Sequence, residues 1–146
     1  MGALLLAVAV CVPLTMCACG DTDRAAPPTT TQAAGRCTAV PRPLVKAIAT
    51  RLTVPETLRN AQAVRSATKG VWFVSAEIDG PGLAGDGQIG TWAKSGPLAP
   101  GGGVILSVDT VFAQVLSGWR RGDTTYADVT MEDDGARQSR DCVARR

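Results

Sequence analysis

The chain has 146 residues, 45% of them hydrophobic and 19% charged, with a formal net charge of +2 and no histidine. The missing imidazole excludes Ser-His-Asp and Cys-His catalysis, histidine-ligated metals and any side chain whose unperturbed pKa lies near neutrality. Nearly balanced charge and only six aromatic residues argue against a nucleic-acid partner, whose surface needs a basic patch interleaved with aromatics.

The hydrophobic residues are unevenly spread. Residues 1–20 contain 16 of them and no charge, and the run from Ala3 to Val12 has the length of a signal-peptide h-region. Pro13 interrupts the run, and about 20 apolar residues are needed to span a bilayer, so a membrane-spanning reading is disfavoured. The following Met16-Cys17-Ala18-Cys19-Gly20-Asp21 resembles a bacterial lipobox, in which a small residue precedes a cysteine that is lipidated and becomes the first residue of the mature chain. The resemblance implies a signal peptide over residues 1–18 and lipidation of Cys19, with Cys17 as the second candidate. It also implies a membrane partner through a diacylglycerol, since two acyl chains anchor firmly where one is marginal.

Residues 19–36 then form the lipidated cysteine and a tether. From Asp21 to Arg36 there is no large apolar side chain, so the segment cannot bury enough surface to offset its ordering entropy. As a flexible coil it would reach about 23 Å. The remaining residues, 37–146, form one small domain with 13 basic and 11 acidic residues. With Cys11 and Cys17 lost in the signal and Cys19 lipidated, Cys37 and Cys142 remain near its two ends. In an oxidising compartment these two predict one disulfide.

Periodicity gives the elements. Leu44, Val45, Ile48 and Leu52 lie on one face of a short helix that starts near Pro43 and ends before Pro55. Leu58 to Ser66 alternates as an edge strand would. Val71 to Asp79 is the clearest strand, with Trp72, Val74, Ala76 and Ile78 on one face and Val71, Phe73, Ser75 and Glu77 on the other. After a turn-rich Gly80–Gly87, residues 88–93 make another strand. A Gly- and Pro-rich loop leads to Val104–Val108, whose continuous apolar run predicts a central, covered strand. Asp109 or Thr110 can cap a helix bearing Phe112, Val115, Leu116 and Trp119 on one face. Thr130 with Asp133 has a capping-box form ahead of a C-terminal helix presenting Ala136, Ser139 and Val143, with Cys142 beside them. The expected fold is α+β, a three- to four-stranded antiparallel sheet packed against N-terminal and C-terminal helices and closed by one disulfide.

Candidate chemistry is sparse. Gly80-Pro81-Gly82-Leu83-Ala84-Gly85 matches GxGxxG, but a strand rather than a helix follows, so a hairpin loop is the better reading. Asp79 and Asp86 lack calcium-loop spacing, the acidic Glu132-Asp133-Asp134 is accounted for by the dipole of a first helical turn, and neither a metal nor a cofactor is expected. Glu77 and Asp79 share a strand face as a carboxylate pair for acid–base work would, yet the aromatics that would line a saccharide cleft already have core positions. No catalytic residue is expected. Trp92, beside Gly90 and Thr91, is the aromatic expected to be partly exposed, a surface on which a ligand or partner can stack; a core tryptophan is the commoner alternative.

The lipobox, the Pro/Thr-rich tether, Cys-Thr-Ala-Val-Pro at 37–41, Val-Trp-Phe-Val-Ser-Ala-Glu-Ile at 71–78, Ile-Gly-Thr-Trp-Ala at 89–93 and Asp-Asp-Gly-Ala-Arg at 133–137 resemble small lipoproteins of actinobacteria and their phages. Twelve arginines against three lysines suit a GC-rich genome of that kind. The resemblance implies a non-enzymatic binding module on the extracytoplasmic face of the cell membrane, with an envelope or phage protein as partner. A prophage superinfection-exclusion lipoprotein is the alternative it suggests, and a cell-wall hydrolase is a distant third.

Overall fold

Alternation of apolar residues carries strands through the middle of the domain, and the computed structural model describes them within residues 35–81, 83 and 88–145. The expected signal peptide, Cys17, Cys19, the tether up to residue 34, Asp86 and the glycines at 82, 85 and 87 lie outside the described residues. In chain order the elements are β1 (Thr38–Ala39), α1 (Arg42–Ala49), β2 (Thr57–Arg65), β3 (Val71–Asp79), β4 (Ile89–Ser95), β5 (Ile105–Ser107), α2 (Ala113–Leu116), β6 (Arg120–Arg121) and α3 (Ala136–Ala144). The architecture is α+β, as expected, but the sheet has six strands in sequence order rather than three or four. It is also mixed, because β6 runs parallel to β5.

The two additional strands have two residues each, too short to carry a period. β1 pairs with β2, which places β2 inside the sheet and not at its edge. The Val104–Val108 run contributes only the three-residue β5, next to the last strand, and Val104 is 56% exposed. That run is therefore neither central nor fully covered.

The pleat of β3 separates two cores as its alternation predicts. On one face Trp72, Val74, Ala76 and Ile78 pack with Trp92 and with Leu44 and Ile48 of α1. On the other, Phe73 and Ala93 pack with Val129 and with Ala136 of α3. The sheet thus lies between helices on opposite faces instead of beside a single helical layer. Buried hydroxyls fix α3 in register: Ser75 Oγ lies 2.7 Å from Ser139 Oγ and 2.9 Å from Thr91 Oγ1. Every one of these groups is fully buried, so leaving any of them unpaired would cost about 1–3 kcal/mol.

Cys37, immediately before β1, is bonded to Cys142 on α3, with a Cα–Cα distance of 5.9 Å and a sequence separation of 105. The expected disulfide is present, and it ties one sheet edge to the helix on the second face.

The helix expected over Phe112–Trp119 is the main local correction. α2 has four residues and Val115 is 64% exposed. Asp109 caps the turn as expected, its carboxylate accepting from the Phe112 and Ala113 amides at 2.6 and 3.2 Å and from Thr91 N at 2.6 Å. Beyond Leu116 the chain is pulled extended, because Ser117 bridges Leu52 and Thr53 N donates to Leu116 O at 2.9 Å. The Thr130/Asp133 pair also behaves differently from a helix cap. Asp133 Oδ2 accepts from Thr130 N at 2.7 Å and closes a turn, while α3 begins later, after Gly135 at φ 90°. Only glycine adopts that φ readily, and a Cβ there would come within 3.1 Å of Val64.

The β2–β3 turn is held by a carboxylate from a distant segment. Asp134 accepts from Ser66 Oγ at 2.8 Å, from Ala67 N at 2.6 Å and from the Thr68 hydroxyl. These donors, the Thr68 hydroxyl foremost, hold its pKa down at about 2. A carboxylate depressed in the folded state contributes stability that is complete above its unfolded pKa and lost as pH falls through the folded value. Asp134 is exposed, so screening leaves about 1 kcal/mol of the shift as stability. Asp134→Asn should therefore cost about 1 kcal/mol at pH 6, with wild type and variant converging between pH 4 and 2. Urea midpoints across that range test this, and a constant difference down to pH 2 would refute the assignment.

Candidate interaction surface

The residues singled out for chemistry are dispersed by the fold. Glu77 accepts from Asn60 Nδ2 at 2.8 Å, and Asp79 is paired with Arg59 at 3.3 Å. Both carboxylates are thus held by neighbours on β2 instead of facing a shared cleft. Glu132 pairs with Arg137, Asp133 lies 3.5 Å from Lys69, and Asp134 holds the β2–β3 turn. Among the described residues no three His, Cys, Asp or Glu side chains come together as a metal site would require.

Trp92 is not a stacking surface. It is fully buried among Trp72, Val74 and Ile105, and its Nε1 donates to Ser117 Oγ at 3.4 Å. Its central strand puts it on the face that α1 covers, so the core alternative holds and the binding role is withdrawn. The exposed aromatic is Tyr126, whose side chain stands free of the surface.

An open groove of about 670 Å³ does form on the opposite face. The side chains of Val71, Ser95, Leu106 and Arg120 share that face by register. α3 packs over β2, β3 and β4, and towards β5 and β6 the sheet is flanked only by the segment bearing Val129 and Tyr126. The strip between them stays accessible, floored by Val71, Leu106 and Val129 and edged by Val104 and Tyr126. Three cations stand at its margin. Lys69 donates to Asp128 O at 2.6 Å and Asp128 Oδ2 at 2.9 Å, and this hydrogen bond raises its pKa. Arg121 is held in a two-point pair with Asp123 at 2.7 and 3.0 Å. Arg120 has no ion-pair partner among the described residues. The lining contains no carboxylate, and the groove offers apolar area, an aromatic edge and a guanidinium.

A second groove of about 530 Å³ lies between α1 and β2. Its floor is Val40, Val45, Leu58 and Ala61 and its rim is Arg42, Lys46 and Arg59. It opens at a bulge in β2 between Arg59 and Gln62, where Asn60 takes φ 51°, a left-handed conformation that asparagine tolerates better than most residues.

Lys94 is a buried cation that periodicity does not mark. It is 1% exposed, and its Nζ donates to Ser95 O at 2.5 Å and Gly102 O at 3.2 Å. The 96–103 loop folds back so that a Cβ on Gly96 would collide with Gly102 O at 2.3 Å. Burial pushes the Lys94 pKa down. Its charge therefore opposes folding at neutral pH, and that cost lifts as pH rises towards the ordinary lysine value. It acts as a clamp on the loop. Compared with protein-family models, with curated proteins and with solved structures, the chain finds no match.

Proposed function

We propose that the protein is a lipid-anchored lipoprotein on the extracytoplasmic face of the cell membrane, and that residues 37–146 are a non-enzymatic interaction module. The observation that carries this reading is the Cys37–Cys142 disulfide. Disulfides persist in oxidising compartments, and this one lies downstream of an uncharged apolar leader that ends in Ala18-Cys19. In this reading attachment is through lipid on Cys19, and among the described residues no helix is long and apolar enough to cross a membrane. The groove beside Arg120 and Tyr126 is the surface through which the module would meet an envelope protein.

Cell fractionation tests the anchor. Cys19→Ala should move the protein from the membrane fraction to the medium, while Cys17→Ala leaves it membrane-bound. Retention of Cys19→Ala together with release of Cys17→Ala would transfer the lipid to Cys17. Retention of both variants would overturn lipid anchoring.

A further inference from the structure

We infer that the groove between α1 and β2 is a docking surface for anionic phospholipid headgroups, giving the domain a second contact with the membrane besides its lipid. The inference rests on the anchoring proposed above.

Charge is the first argument. Arg42 and Lys46, four residues apart on α1, are both exposed and stand at one rim with no carboxylate in the lining, whereas Arg59 of β2, which also lines the groove, is neutralised by Asp79. Two carboxylates of β3 that face β2 are already engaged, Asp79 by Arg59 at 3.3 Å and Glu77 by Asn60 at 2.8 Å. Arg42 and Lys46 have no ion-pair partner among the described residues. Helix stability does not account for Arg42, which opens α1 where no acidic residue lies in the first turn and where the helix dipole disfavours a cation. The apolar floor of Val40, Val45, Leu58 and Ala61 keeps local dielectric low and strengthens the potential above it.

Position is the second argument. Val40 N donates to Ala61 O at 3.2 Å, so the incoming chain itself forms part of the groove wall. Arg36, where the expected tether ends, is four residues upstream of Val40, at most about 14 Å of extended chain. Of the two grooves, this is the one whose wall the tether leads into. Each free cation near an anionic bilayer contributes about fivefold to binding, so Arg42 and Lys46 together supply about 25-fold, decaying within a Debye length.

Hydrogen exchange on the full lipidated chain in vesicles tests this. Amides of Arg42–Ala49 and Thr57–Ala61 should exchange at least about fivefold more slowly in vesicles containing phosphatidylglycerol than in pure phosphatidylcholine. High salt should abolish the difference, and so should Arg42→Glu with Lys46→Glu. Arg140→Glu on α3 with Arg145→Glu just after it should leave it intact, and unchanged exchange in β3 and β4 shows that the variants are folded. Equal exchange in the two vesicles, or slowing retained by the Arg42/Lys46 variant, would overturn the inference. Slowing reproduced on phosphatidylcholine by inorganic phosphate alone would also overturn it, assigning the groove to free phosphate. If the chain leaves neutral vesicles yet binds those with phosphatidylglycerol through the same protected amides, the lipid anchor is overturned and the groove stands.

Discussion

Removing the Cys37–Cys142 bond, by reductant or by replacing both cysteines with alanine, is expected to lower the unfolding free energy by about 4–5 kcal/mol. The bond joins residues 105 apart in sequence, and closing a loop of that length removes about 4.7 kcal/mol of conformational freedom from the unfolded chain in the entropic account. A small domain has a total stability of about 5–15 kcal/mol, so the loss is a large fraction of the whole. Its structural consequence should be uneven. Cys37 precedes the two-residue β1, whose only sheet neighbour is β2, whereas α3 keeps its Ser75–Ser139 contact and its packing through Ala136. Urea denaturation with and without reductant gives the magnitude, and hydrogen exchange should show β1 opening before β3 and β4. A loss below about 1 kcal/mol would mean that the reduced unfolded state retains the order the crosslink was thought to impose.

Trp92→Ala is expected to destabilise the domain by about 3–5 kcal/mol, the range for emptying a large aromatic site in a packed core. Trp92 is fully buried on β4 between the β3 face and α1. It also fills the space beside Gly90, where a Cβ would lie 2.6 Å from the indole ring. The lost volume is shared by a central strand and a helix that are both pinned elsewhere, so collapse around the cavity is limited. Thermal unfolding measures the cost. The tryptophan's own environment supplies an independent check: the fluorescence lost in Trp92→Ala should be blue-shifted and shielded from an aqueous quencher. A variant of wild-type stability, or a quencher-accessible signal, would return Trp92 to the surface role that its place beside Gly90 and Thr91 suggested.

The contrast between β3 and β4 shows what was legible. Val71–Asp79 alternates over nine residues, and both of its faces are buried in the order the alternation demands. Ala136, Ser139, Cys142 and Val143 likewise form the buried side of α3, because helical spacing reports a face wherever one face is covered. Trp92 and Lys94 sit on a strand as buried as β3, but burial of a lysine depends on the carbonyls of a loop eight residues away. No local period carries that information. Val115 shows the opposite failure: its helical spacing is real, yet a bridge from Leu52 to Ser117 ends the helix before the pattern is complete. The sites were less legible still. Arg42, Lys46 and Arg59 look like ordinary surface charges until α1 is laid beside the β2 bulge.

Composition and spacing alone determined the α+β class, the extent of the central strand, the buried side of the last helix and the pairing of Cys37 with Cys142. All of these rest on local periods or on the two cysteines that lie downstream of the apolar leader and tether. The tertiary structure alone decided that six strands form, that helices cover opposite faces, that Trp92 is core, and that cations from two elements share one groove. Those outcomes depend on contacts between segments far apart in the chain, where two-residue strands and single side chains gain their meaning only from what packs against them.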